Sequence, residues 1–245
     1  MRIAVISDIH ANLHALEAVL AEVDAAGFAA VWCLGDLVGY GPRPNECARL
    51  VRARAELCLA GNHDLLAIDA PGGPHESEFN PVAAAALRWT RAALDEETRA
   101  YLAELASTAR RGELGLYHGS PRDPVWEYVL DAESALLSLL AAPERVVLVG
   151  HTHTPLRVSL AGRTLTGGVA QPDDEVDLTE GRHLLNPGSV GQPRDGDPRA
   201  SWLAIDLTAM RATFRRTAYA VARTQEEIRE RGLPEVLAER LAHGA

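Results

Sequence analysis

The feature that most constrains this chain is a rhythm. Through its first hundred and fifty residues, short β-branched runs alternate with amphipathic stretches, and the runs break into polar, often glycine-marked turns. Such alternation specifies a sheet with helical crossovers, because each helix must bury one face against the strands. Residues 2–6, 30–34, 55–59, 114–117 and 145–149 read as strands. Residues 13–25 carry apolar side chains at helical spacing, Asn80-Pro81 is an N-cap followed by proline at N1, and Asp95 and Asp131 each open a further helix.

After Gly150 the rhythm changes to strand pairs over 156–160, 163–166, 183–185, 202–207 and 211–217, which predicts a mostly antiparallel half. The tail returns to helix: Thr224 with Glu227 has the form of a capping box, and Leu233-Pro234 opens a second short helix. No linker rich in Pro, Gly or Ser, no repeat and no low-complexity stretch interrupts the chain. Residues 1–245 are therefore expected to form one α/β domain around a two-sheet core, with C-terminal helices from about 223.

Hydrophobic residues make up 47% of the chain, enough for a substantial core, while a formal charge of −10 speaks against a partner as anionic as a long nucleic acid. All 24 basic residues are arginine, which reads as coding bias rather than chemistry. Cys33, Cys47 and Cys58 are odd in number and form no C-x-x-C pair, so buried, reduced thiols and a cytoplasmic location are expected. The chain starts directly on a strand-like run, and no apolar stretch reaches the ~18 residues of a membrane span. The acidic stretch Asp173, Asp174, Glu175, Asp177 lacks a glycine-punctuated ligand loop and reads as a solvated tip between edge strands.

The strand ends carry the chemistry. Asp8-Ile9-His10, Gly35-Asp36, Gly61-Asn62-His63-Asp64, His118-Gly119-Ser120 and Gly150-His151-Thr152-His153 each follow an apolar run and present metal-type ligands. Five of the nine histidines lie in these segments, and His14, His75, His183 and His243 outside them read as solvated or structural. Alone, each segment has an ordinary explanation as a cap or turn. Five such ends on one sheet can instead converge outside its carboxyl edge. Alternate-residue pairs such as Asp8 with His10, or His151 with His153, are expected to point one way from an extended strand end and grip metal from one direction. Mixed imidazole and carboxylate ligands suit Mn, Fe, Zn, Co or Ni better than Ca or Mg.

The ordered set D-x-H, G-D-x-x-G, G-N-H-D, a strand-end His and G-H-T-H resembles the calcineurin-like metallophosphoesterase superfamily over residues 1 to about 200. The stretches 35–42, 118–123 and 186–194 resemble its small prokaryotic phosphodiesterase branch, which includes diadenosine tetraphosphatase-like proteins. That resemblance implies a four-layer αββα sandwich of two mixed sheets flanked by helices. It also implies two divalent metal ions, Mn foremost. Asp8, His10, Asp36 and His153 would hold one, and Asp36, Asn62, His118 and His151 the other. Asp36 would bridge ions ~3.5–4 Å apart, with a shared hydroxide attacking a small phosphodiester or nucleotide. His63 is left free to protonate the leaving oxygen, with Asp64 expected to orient it.

One departure bears on substrate. The protein phosphatases of the superfamily carry Asp-Arg where this chain has Gly39-Tyr40, which removes a guanidinium suited to dianionic monoesters. Arg122 or Arg194 could substitute from another loop. Tyr40, Ser189 and Arg194 are the candidate substrate contacts, with Asn12, Ser120 and Asn186 as possible supports. Two rivals remain at this point: a phosphomonoesterase or protein phosphatase, and a catalytically silent scaffold, which should have lost ligands that are all present here.

Overall fold

The computed structural model describes residues 1–74 and 79–245. Two six-stranded mixed sheets lie face to face. The first runs, in spatial order, β3 (Leu57–Cys58), β2 (Ala30–Cys33), β1 (Arg2–Ile6), β11 (Ala200–Asp206), β12 (Arg211–Thr217) and β9 (Glu175–Asp177). The second runs β4 (Thr108–Arg111), β5 (Leu114–Tyr117), β6 (Val146–Leu148), β10 (Arg182–Pro187), β7 (Pro155–Ala161) and β8 (Thr164–Val169). Within the first sheet β1, β2 and β3 are parallel, and within the second so are β5, β6 and β10. Apart from the β10–β6 pair, the strands after Gly150 join antiparallel, as the change of rhythm there predicts.

Alternation along β1 explains the layers. Ile3 and Val5 point between the sheets, where they meet Trp32, Leu116, Leu148, Leu203 and Phe214. Ala4 and Ile6 point outward onto Leu16, Val19 and Leu20 of α1 (Leu13–Ala25) and Cys47 and Val51 of α2 (Pro44–Arg54). The second sheet's outer face packs Val147, Val158 and Leu184 against Ala135 and Leu139 of α6 (Ala132–Ala141). A strand buried on both faces reads as an unbroken apolar run, and this is the αββα sandwich expected.

The caps behave as their residue types dictate: Asn12, Asn80, Asp95 and Asp131 each accept the backbone N–H three residues on, opening α1, α4 (Pro81–Ala93), α5 (Glu96–Glu104) and α6. The tail departs from expectation. Helix α7 (Val221–Glu230) starts before Thr224, and its N-cap Ala220 makes no side-chain bond. Thr224 instead donates to Asn12 Oδ1 at 3.0 Å, and Glu227 binds Arg43 and His14. Tertiary partners therefore take both side chains that would have formed the capping box. Helix α8 (Glu235–Glu239) follows Pro234 and runs into a 3-10 turn at Arg240–Ala242.

Other differences have local causes. Strand β4 carries no hydrophobic signal because it is a largely solvated edge paired only to β5. The run at 55–59 narrows to β3 because Ala55 still caps α2. Glu175–Asp177 is itself an edge strand, and Asp173, Asp174 and Glu175 pair with Arg215, Arg157 and Arg211. His183 is a core residue held by Ser159 Oγ and the Glu180 carbonyl, His14 pairs with Glu227, and His243 is exposed. His75 lies outside the described residues. The three thiols are free, and no described helix is long and apolar enough to cross a membrane.

Candidate metal centre

The ligand-bearing loops leave the carboxyl ends of β1, β2, β3, β5 and β6, so they come from both sheets rather than from one. They meet across the sandwich edge because the parallel cores of the two sheets present their carboxyl ends to the same crevice. The loops are not extended. Asp8 (φ 54°), His10 (φ 48°), Asp36 (φ 55°), His151 (φ 67°) and His153 (φ 61°) are all left-handed. This corrects the alternate-residue expectation: the kinked backbone sends His151 and His153 to different clusters. Five such residues together mark strain held by the surrounding fold. The hold is visible in bonds from Asp8 N–H to the Gly35 carbonyl at 3.0 Å, Ile9 N–H to the Asp36 carbonyl at 2.8 Å and Gly191 N–H to the Asp8 carbonyl at 3.0 Å.

Two clusters result, Asp8, His10, Asp36 and His153, and Asp36, His118 and His151, each with its ligand atoms within 4.8 Å of one another. Asp36 belongs to both. Its Oδ2 lies 3.5 Å from His10 Nε2 and 3.5 Å from His118 Nε2, while its Oδ1 accepts the His63 N–H at 2.8 Å. Asp8 divides its oxygens the same way: Oδ2 accepts the His151 N–H at 3.1 Å and Oδ1 faces His153 Nε2 at 3.4 Å. Asn62, at the start of α3 (Asn62–Ala67), sets Oδ1 3.0 Å from His118 Nε2.

The donor set fits a pair of cations. Asp8 Oδ1, Asp36 Oδ2 and His151 Nε2 are buried without a hydrogen-bond partner, a costly state for polar atoms unless something else meets them. The far nitrogens of three rings face carbonyls: His10 Nδ1 to Val38 at 3.1 Å, His118 Nδ1 to Leu34 at 3.1 Å and His153 Nδ1 to Gln192 at 2.7 Å. Donation there turns each Nε2 lone pair inward, so His10 and His153 oppose lone pairs at 3.0 Å. Burial pushes Asp8 up to about 7 and Asp36 well above the carboxylate range, the latter with help from Asp64 and Asp8. Burial also holds His10, His118 and His153 well below the usual imidazole value and His151 near 4. Neutral imidazoles beside unwelcome carboxylate charge make a site that gains by exchanging protons for metal.

Several predicted contacts have other roles. Asp64 is fully buried, with Oδ1 accepting from Leu37 N–H (2.9 Å) and Val38 N–H (3.1 Å) and Oδ2 from Gly61 N–H (2.9 Å). It ties the Asp36 loop to the Gly61 loop and does not spend its charge orienting His63. Ser189, also fully buried, donates to the Asp8 carbonyl and accepts from Gln192 N–H, both at 2.7 Å, so it braces the ligand loop from beneath instead of meeting substrate. Asn12 bonds the Gly191 carbonyl, and Asn186 bonds the Gly150 carbonyl and Thr152. Ser120 bonds Glu127 and accepts the Arg122 and Asp123 amides. Arg122 is committed to Glu127.

Tyr40 does reach the site, its ring centroid 4.5 Å from His63 and 4.9 Å from His10, and Arg194 lies against its hydroxyl. Tyr128 also stacks on His151, with centroids 3.6 Å apart and planes inclined by 23°. Sequence reasoning missed it, although its place ten residues after His118 in the same loop was a usable signal.

A buried, carboxylate-bridged pair of His/Asp clusters at strand ends defines a dinuclear metal site of the kind hydrolases use. The comparisons agree. Residues 1–210 match the calcineurin-like phosphoesterase superfamily domain, and the chain belongs to that family. It is similar to a metallophosphoesterase from Sphaerobacter thermophilus, at 45% identity over 100% of this chain and 99% of that one, with a TM-score of 0.89. An uncharacterized Methanocaldococcus jannaschii protein is 36% identical over 99% of this chain and 98% of its own length. A hypothetical protein from Pyrococcus horikoshii shares the fold at 22% identity and a TM-score of 0.79, covering 100% and 98% of the two chains. The chain is a metal-dependent phosphoesterase with two adjacent His/Asp clusters able to chelate a dinuclear centre.

Proposed function

We propose that this protein hydrolyses small phosphodiesters or nucleotides, working as one domain of residues 1–245 in the cytoplasm with manganese loaded. The observation that carries the reading is Asp36 Oδ2, a buried oxygen without a hydrogen-bond partner, equidistant at 3.5 Å from an imidazole of each cluster. Asp8, His10, Asp36 and His153 would hold one cation, and Asp36, Asn62, His118 and His151 the other. Such a pair of divalent cations would supply Lewis acidity for water and for the phosphoryl oxygens.

The chain's own residues do the rest. Asp8 and Asp36 each spend one oxygen on a backbone N–H and so keep the other aimed inward. Tyr40 and Tyr128 wall the mouth and limit water around the reacting group. His63 gives its proton to the leaving oxygen. Burial, with His151 and Arg194 nearby, holds this ring near 3, and an anionic phosphoryl group beside it would favour its protonated form. Arg194, beside the Tyr40 hydroxyl at the mouth, adds attraction for anions.

The test is turnover by manganese-loaded protein of an aryl phosphodiester beside the matching monoester. Faster diester cleavage is expected. A monoester preference above about tenfold would reverse the substrate ranking, and no turnover of either would end the phosphodiesterase reading.

A further inference from the structure

Next to the metal-ligand clusters lies an open cavity of ≈ 360 Å³, walled by Tyr40, Tyr128, Arg194 and Arg240 and lined further by residues of α4 and α8. Its walls are continuous with the metal centre. Tyr40 packs on His63 and His10, Tyr128 stacks on His151, and Arg194 N–H donates to the His153 carbonyl at 3.3 Å.

The charge in this cavity is out of keeping with the molecule around it. The chain carries −10 overall, and many of its arginines pair with carboxylates. Among the described residues, neither Arg194 nor Arg240 has an acidic partner. Both guanidiniums reach one neutral atom, Gln192 Oε1, at 3.2 Å each, Arg194 also lies against the Tyr40 hydroxyl, and the Nε of both is buried with no hydrogen-bond partner. Two half-buried cations converging on one amide oxygen, with no carboxylate between them, are under-solvated and repel each other. Burial and Arg194 together push Arg240 below its ordinary value, a second sign of missing negative charge. An anion with several oxygens could satisfy both planar forks at once.

We propose that Arg194 and Arg240 form a subsite for a second phosphate, so that the preferred substrate carries another phosphate beside the one cleaved. The inference rests on the phosphoesterase reading and narrows its substrate class to phosphate chains or multiply phosphorylated esters. The two tyrosines give the same cavity flat, sequence-tolerant faces for a base or other ring attached to that chain. The C-terminal segment acquires a purpose by this assignment. Residues 221–242 lie beyond the stretch matched to the family domain, which ends at 210, and they deliver Arg240 to the mouth. The delivery is anchored by Thr224 on Asn12 and by Glu227 on Arg43.

The experiment is calorimetric titration of imidodiphosphate and of orthophosphate into manganese-loaded wild type and Arg240→Gln, alongside turnover of an aryl phosphodiester. Wild type should bind imidodiphosphate at least about tenfold more tightly than orthophosphate, and Arg240→Gln should cut that ratio about tenfold, with Arg240→Lys recovering part of it. A wild-type ratio below about threefold overturns the proposal without any variant, and so does a ratio that Arg240→Gln leaves within about twofold. The underlying reading fails separately: binding that depends on Arg240 without turnover of any ester retains the subsite and removes the hydrolase. Turnover with a ratio that Arg240→Gln leaves within about twofold of wild type does the reverse.

Discussion

Gly61 offers a clean test of how the metal centre is assembled. Its backbone is ordinary, with φ −94° and ψ 174°, so any residue could adopt the conformation. Space alone forbids a side chain. A Cβ there would sit 2.1 Å from Asp36 Oδ1, 2.4 Å from Asp36 N and 2.7 Å from Asp36 Cγ. Gly61→Ala must push the two loops about 1 Å apart to reach ordinary contact. Overpacking of this kind costs about 1–3 kcal/mol, or roughly 3–10 °C in Tm for a chain of this size. The larger effect is on function, because the displaced atoms belong to the carboxylate shared by both clusters. A shift of about 1 Å there should reduce turnover about 100-fold and weaken at least one metal. Thermal melting, metal content by mass spectrometry and diester turnover read the three effects. Gly162, with φ +59° and nothing within 4 Å of where a Cβ would stand, is the control: Gly162→Ala should lose only about 1 kcal/mol and no metal. Gly61→Ala protein holding two metals with turnover within about twofold of wild type would refute the steric argument.

Three other perturbations follow from the same geometry. Replacing His63 by alanine should slow esters with poor leaving groups about 100-fold or more, while activated aryl esters and metal content change far less; equal losses for both ester types would remove the acid assignment. Stripping metal with a chelator should lower Tm by roughly 5–10 °C, and manganese should restore it; a melting curve indifferent to chelation would show that the orphaned oxygens need no cation. Glu227 is held near 2, below its ordinary 4.5, chiefly by hydrogen bonds from Arg43. A depressed folded value means this stabilisation is complete above 4.5 and fades as pH falls toward 2. The shift corresponds to about 3 kcal/mol at most, and solvent screening near the surface reduces it to about 1–2 kcal/mol. Glu227→Gln should therefore destabilise at pH 7 and progressively less in acid, as denaturant titrations at several pH values would show; a pH-independent loss contradicts the ion-pair account.

The fold was legible because its signals are local. Strands buried on both faces must read as apolar runs, and Asn12, Asn80, Asp95 and Asp131 must cap the helices they open. Strand β4 escaped because a solvated edge needs no apolar residue, and the Thr224/Glu227 pattern misled because both side chains found partners in Asn12, Arg43 and His14. The metal-type residues were legible for a different reason: each stands at the end of its own strand, so the five segments announce themselves without any knowledge of their meeting. What the pattern could not reveal was direction. Asp64, Ser189 and Asn186 have the residue types of catalysis, yet each is consumed by backbone amides or carbonyls that only the folded loops bring near.

The same distinction separates the part of the site that performs chemistry from the part that selects substrate. Cation ligands must sit on rigid strand ends, since an ångström of error there is costly, and rigidity leaves a trace in the sequence as glycine, left-handed backbone and short polar motifs. Groups that recognise the rest of a substrate need only line the rim, so they can come from any element that passes by. Tyr128 comes from a loop after His118, and Arg240 from a turn at the far end of the chain. Nothing in the tail's sequence distinguishes Arg240 from Arg229 or Arg231. Only its convergence with Arg194 on Gln192, without a carboxylate, marks it out. Relatives that keep the five strand-end segments can thus share a reaction while differing in substrate, and the substitutions that retune this protein should lie at Tyr40, Tyr128 and Arg240 rather than among the ligands.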